Sequence, residues 1–134
     1  MRLPVESLPG LIILKLFAWV DRKHERRDAP DILTILQEYV EAGNEERLFE
    51  RDLALFEAAG FDLIRAGALM LGKDSRFIAN QQTRAKLEEL LNDNALMEQL
   101  LNQMVQTGGR SDHAFSQRCE SLLENFPKNF LDHA

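Results

Sequence analysis

Four side chains in the first quarter of the chain are placed to act together: Lys15, Arg22, Asp28 and Asp31. Lys15 interrupts the longest apolar run, residues 11–20. An ammonium among leucines and isoleucines must snorkel to water or meet an anion, because an unpaired buried charge is costly. At 100° per residue, Lys15, Trp19 and Arg22 share one helical face, with Trp19 and Arg22 each within ~40° of Lys15. Two cations on one rigid face suit a phosphate. The two aspartates open a second reading, in which Asp28 or Asp31 receives Lys15 as an internal ion pair. Both also sit where aspartate caps a helix and complements its positive end. Trp19 reads as a core or contact residue, and residues 22–27 as a basic, solvated break.

The elements that must position these groups are helical. Apolar residues nearly encircle the stretch from Leu8 to about His24, which predicts a central, buried first helix. Ser7 is its predicted N-cap, after an extended segment at residues 1–6 containing Pro4. Asp28 caps a second helix with Pro30 in its first turn, closed by Gly43. Asn44 opens a third helix that runs to Gly60, and a fourth follows to about Leu71. Gly67, inside the fourth among small residues, suggests close helix packing as easily as a break. Residues 71–82 read as a loop, in which Lys73 could reach toward the same anion site. Thr83 caps a long leucine-striped fifth helix that Asn92-Asp93-Asn94 bends or splits. A last helix over residues 112–125 turns Phe115, Cys119, Leu122 and Leu123 inward before Pro127 disturbs the tail. The fold class is all-α, one domain of five to seven helices.

Composition narrows the chemistry. With 45% hydrophobic and 28% charged residues, the chain is globular rather than disordered. A single cysteine, Cys119, excludes an internal disulfide and fits a reducing cytoplasm. The apolar run is too short and too charged to span a membrane. The net charge of −6 is uneven: residues 1–31 hold six basic and five acidic side chains, the rest ten and seventeen. General DNA binding is therefore not expected, while a local anion site is. There is no P-loop, dinucleotide fingerprint, Ser-His-Asp set or zinc ligand cluster, and no metal site is predicted.

One pattern goes further. Leu8-Pro9-Gly10-Leu11, Lys15, Ala18-Trp19, Asp21-Arg22, Arg27-Asp28 and Asp31-Ile32 together resemble the C-terminal motif of AbiEii-type nucleotidyltransferase-like proteins. The stretches GNEERLFE, ALMLGKD and QTRAKLEELL are also similar to that group, so the resemblance spans about residues 2–91. It implies a helical half that follows an αβ half, whose glycine motif and paired carboxylates hold Mg²⁺. It implies that Lys15 and Arg22 bind nucleotide phosphate. Asp28 would be an acidic support with a catalytic role, and Asp31 and Trp19 would be supporting residues. The αβ half is not found in this sequence. Gly108-Gly109-Arg110-Ser111-Asp112 is only superficially like its glycine motif and reads as an interhelical loop. The expected function is thus a helical domain of a toxin–antitoxin-type nucleotidyltransferase-like protein. It would not be catalytic alone, and would use Mg²⁺ and a nucleoside triphosphate only with a complementing half. The alternative is an interaction module that forms a homodimer or binds a partner through the apolar surface left by the missing half, around Leu3, Val5 and the first helix.

Overall fold

A run of small side chains in mid-chain sets the architecture. Ala66, Gly67, Ala68, Gly72 and Ser75 are all buried in the helix Leu63–Ile78. Small residues let neighbouring backbones close in. A Cβ added at Gly67 would lie 3.1 Å from Val40 Cβ and 3.2 Å from its backbone nitrogen. At Gly72 it would collide with the carbonyl oxygen of Phe126 and reach within 3.0 Å of the Phe130 nitrogen.

The computed structural model describes residues 8–107 and 112–131. Among these the fold is all-α, as predicted, with eight α-helices: α1 Leu8–Asp21, α2 Ala29–Glu38, α3 Glu45–Glu50, α4 Leu53–Ala58, α5 Leu63–Ile78, α6 Gln81–Leu91, α7 Asn94–Thr107 and α8 His113–Leu131. A 3₁₀ turn, Lys23–Glu25, follows α1. The hub is α5, which packs most closely on α8 and also against α1, α2 and α4. Buried side chains form one core cluster, whose largest members include Trp19, Tyr39, Phe126 and Phe130.

Several sequence expectations need correction. The first helix is not the central one: Ile12, Ile13, Leu16 and Trp19 are buried, but Leu14 is 67% exposed. Overall apolarity misidentified the hub, because close packing is set by small residues in α5 rather than by large ones in α1. The predicted loop over residues 71–82 is largely helix, with α5 running on to Ile78. Gly72 does not end it, since its role is close approach to α8. Pro127 lies inside α8, buried between Phe126 and Phe130, so tertiary packing outweighs the lost backbone bond.

The helix count exceeds the expected five to seven because polar residues divide two predicted helices. Arg51 and Asp52 separate α3 from α4. Asp93 accepts from Leu96 N at 3.1 Å and restarts the chain as α7. The cap of α6 is Asn80 rather than Thr83, accepting from Thr83 N at 2.8 Å. Ser7, the extended segment, Leu3, Val5 and the glycine pair at 108–109 lie outside the described residues. No helix of the described residues is long and apolar enough to cross a membrane.

Candidate functional site

The four chemistry-bearing residues converge. Lys15 projects from the middle of α1, Arg22 from just beyond its end, and Asp28 and Asp31 from the start of α2. Arg22 grips Asp28 with both arms of its guanidinium, Nε to Oδ2 at 2.7 Å and Nη2 to Oδ1 at 2.9 Å. Lys15 Nζ reaches Asp31 Oδ2 at 2.7 Å and stands 3.7 Å from Asp28 Oδ1. The ion-pair reading of Lys15 therefore holds, and both aspartates take part in it.

The two pairs differ in character. The Asp28 side chain is 2% exposed, whereas that of Asp31 is 55% exposed and that of Lys15 25%. The hydrogen bonds from Arg22 hold the Asp28 carboxyl below the usual carboxylate range; burial opposes this and is outweighed. The same contact raises the Arg22 guanidinium. Asp28–Arg22 is thus a fixed, bidentate pair. Lys15–Asp31 is half open to water and exchangeable.

Asp28 does not cap α2 with its side chain, contrary to expectation. Its carboxylate is taken by Arg22, a stronger partner than the backbone amides it would otherwise serve. Pro30 does stand at the start of α2, as predicted. Both Asp28 oxygens being occupied, and Asp31 engaged by Lys15, this pair does not fit Mg²⁺. Among the described residues, no group of three or more metal-ligating side chains is gathered.

Trp19 shares the helical stripe of Lys15 but points into the core. It is fully buried, and its Nε1 donates to Gln103 Oε1 at 2.9 Å. Gln103 Nε2 in turn donates to the Lys23 carbonyl at 2.8 Å. Arg26, at a left-handed φ of 61°, donates to Gln106 at 2.9 Å. The basic stretch at residues 22–27 is therefore docked on α7 rather than wholly solvated. Gln103 thus bridges the indole and the turn. Gln103→Leu is expected to cost about 1–3 kcal/mol by stranding the buried indole N–H. Chemical denaturation of the variant checks this.

A second polar cluster escaped sequence reasoning. Arg47 Nη2 donates to Asp74 at 2.7 Å and its Nε to Asp52 at 3.2 Å. Lys73 donates to Asp52 at 2.9 Å, and buried Tyr39 donates to Asp74. Lys73 thus serves Asp52 and forms no ion pair with the α1–α2 group. Burial raises the Tyr39 hydroxyl well above its ordinary value, and Asp74 adds to the effect. Asp74 raises the Arg47 guanidinium. Burial would lift the Asp52 carboxyl, but Lys73 and Arg47 hold it low. One signal was available: Arg47, Lys73 and Asp74 all lie within the stretches GNEERLFE and ALMLGKD. Cys119 is buried and its thiol is pushed up by burial, which fits a structural role. No protein-family model matches the chain, and comparison with curated proteins and with solved structures finds no match.

Proposed function

We propose that the chain is the helical domain of a nucleotidyltransferase-like protein of the toxin–antitoxin type, not catalytic alone, with a nucleotide phosphate contact at Lys15. The supporting observation is the pairing of a fixed anchor with an exchangeable cation. Arg22 locks Asp28, and Asp28 steadies Lys15 from 3.7 Å. The exposed Asp31 then occupies the place of an incoming anion on Lys15. A phosphate displaces Asp31 without disturbing the buried pair. In this reading Lys15 touches the ligand, and Arg22 and Asp28 are positioning residues. Metal-dependent chemistry belongs to a complementing αβ half, since Asp28 and Asp31 do not fit Mg²⁺.

Calorimetric titration with a nucleoside triphosphate tests this reading. Asp31→Ala is expected to bind more tightly than the parent, because it frees Lys15. Lys15→Ala is expected to lose the part of the binding that Asp31→Ala strengthens. Equal heats in all three chains would remove the proposal.

A second reading, an interaction module, draws on a different observation. Leu14 is 67% exposed, Phe77 83% and Ile78 51%. Ile78 lies against Gly10, one helical turn from Leu14, so the exposed end of α5 adjoins α1. Such a face suits a second copy or a partner that carries the metal-binding half. Light scattering is expected to show a dimer that Leu14→Asp with Phe77→Ser converts to monomer. A parent that is monomeric at all concentrations argues against self-association.

A further inference from the structure

The cluster around Asp52 and Asp74 opens onto a cleft of 780 Å³ that also draws on Arg51, Arg76, Phe77 and Arg84. That volume falls within the ~300–1,000 Å³ range of small-molecule sites. Five cations meet there, on a chain of net charge −6. Three are answered. Arg47 and Lys73 pair with Asp52 and Asp74, and Arg76 pairs with Glu88 at 2.9 Å. Two are not. Arg51 makes no side-chain hydrogen bond or ion pair among the described residues, and Arg84 makes no ion pair. Arg84 is nonetheless held in place, since its Nε donates to the Arg76 carbonyl at 2.8 Å. Among the described residues, no carboxylate lies within 4.0 Å of its two terminal nitrogens. A second anchor stiffens the wall: Arg76 also donates to the Phe130 carbonyl at 2.8 Å and lies over the Phe130 ring.

A concave, cation-rich wall concentrates positive potential and selects anions. Planar guanidinium forks match oxyanions such as phosphate in a bidentate way, and several cations together favour a multiply charged one. The cleft is much larger than one phosphate group, and exposed Phe77 at its edge offers a flat apolar face. We infer that this cleft binds a small polyphosphate anion through Arg51 and Arg84, at a site separate from Lys15. The anion is either free or carried on a nucleoside stacked against Phe77.

Calorimetry on the whole chain, at low ionic strength and without metal, uses inorganic tripolyphosphate in one arm and ATP in the other. Saturable binding of tripolyphosphate is expected. It should weaken ~10-fold or more in Arg51→Glu and in Arg84→Ala, as loss of a charged hydrogen-bonding group does. Arg65→Ala, outside the cleft, should bind like the parent. Arg51 has no side-chain partner to lose among the described residues, so its variant should keep its helical circular dichroism and report on binding. ATP binding more tightly than tripolyphosphate, with the surplus lost in Phe77→Ala, supports the site and assigns a nucleotide. Equal binding of the two supports the site and assigns a free polyphosphate. No saturable binding, or binding unchanged in both arginine variants, overturns the inference. Binding lost only in Lys15→Ala also overturns it, and leaves the Lys15 reading standing.

Discussion

Gly72→Val is expected to destabilise the protein by about 3 kcal/mol or more, the upper end of overpacking costs. The reason is geometric. The first added carbon would collide with the Phe126 carbonyl oxygen and approach the Phe130 nitrogen. Both are backbone atoms of α8, so neither can swing aside as a flexible side-chain tip would. Relief requires α8 to move away from α5, and α5–α8 is the most extensive helix pair in the molecule. Tightly packed interiors transmit such a displacement rather than absorb it. Gly67→Ala is a milder case, because it meets Val40 at 3.1 Å and a side chain forms part of that contact. Urea denaturation measures both. A Gly72→Val chain that unfolds at the parent's midpoint would contradict the α5–α8 packing.

Asp28→Ala is the second large effect, about 2–4 kcal/mol. Breaking an enclosed ion pair costs about 3–5 kcal/mol. The lower figure applies because Arg22 and Lys15 keep part of their surface in water. The pH dependence carries the signature. The Asp28 carboxyl is held below its ordinary value in the folded protein, chiefly by the Arg22 hydrogen bonds. Its contribution is therefore complete above the unfolded value, near ~3.9, and fades as pH falls through the lower folded value. The parent's advantage over Asp28→Ala should shrink below about pH 4. Thermal melts between neutral and acid pH check this. A difference that stays constant through the acid limb would mean that the carboxylate is not held ionised by Arg22.

The parts of this account that local sequence could reveal are those governed by residue type and short spacing. An all-α fold follows from the apolar periodicity. A lysine within an apolar run had to snorkel to water or find an anion, and Asp28 and Asp31 were the candidates the sequence offered. Gly67 among small neighbours left close packing and a break both open, and the fold chooses the close approach to Val40. What local sequence could not show depends on competition or on folding. Asp28 had a capping position and an arginine within reach, and only the folded geometry decides for the bidentate contact. Whether Gly72 ends a helix or admits another backbone depends on Phe126 and Phe130 of α8, more than fifty residues away. The cationic cleft draws arginines and a lysine from residues 47–84, spread over several elements. No single stretch contains it, so no local pattern predicts it. Trp19 shares a stripe with Lys15, yet that stripe straddles the boundary between core and surface, where small rotations decide what each side chain meets.

The central claim is that Lys15 is an exchangeable cation, held ready by a fixed Arg22–Asp28 pair and covered by Asp31. Isothermal titration with a nucleoside triphosphate in the Arg51→Glu background, where binding at the second cleft is weakened, separates the two sites. Asp31→Ala should bind most tightly, the Arg51→Glu chain alone should follow, and Lys15→Ala should bind most weakly. Affinity that is indifferent to Lys15, or unimproved when Asp31 is removed, would contradict it.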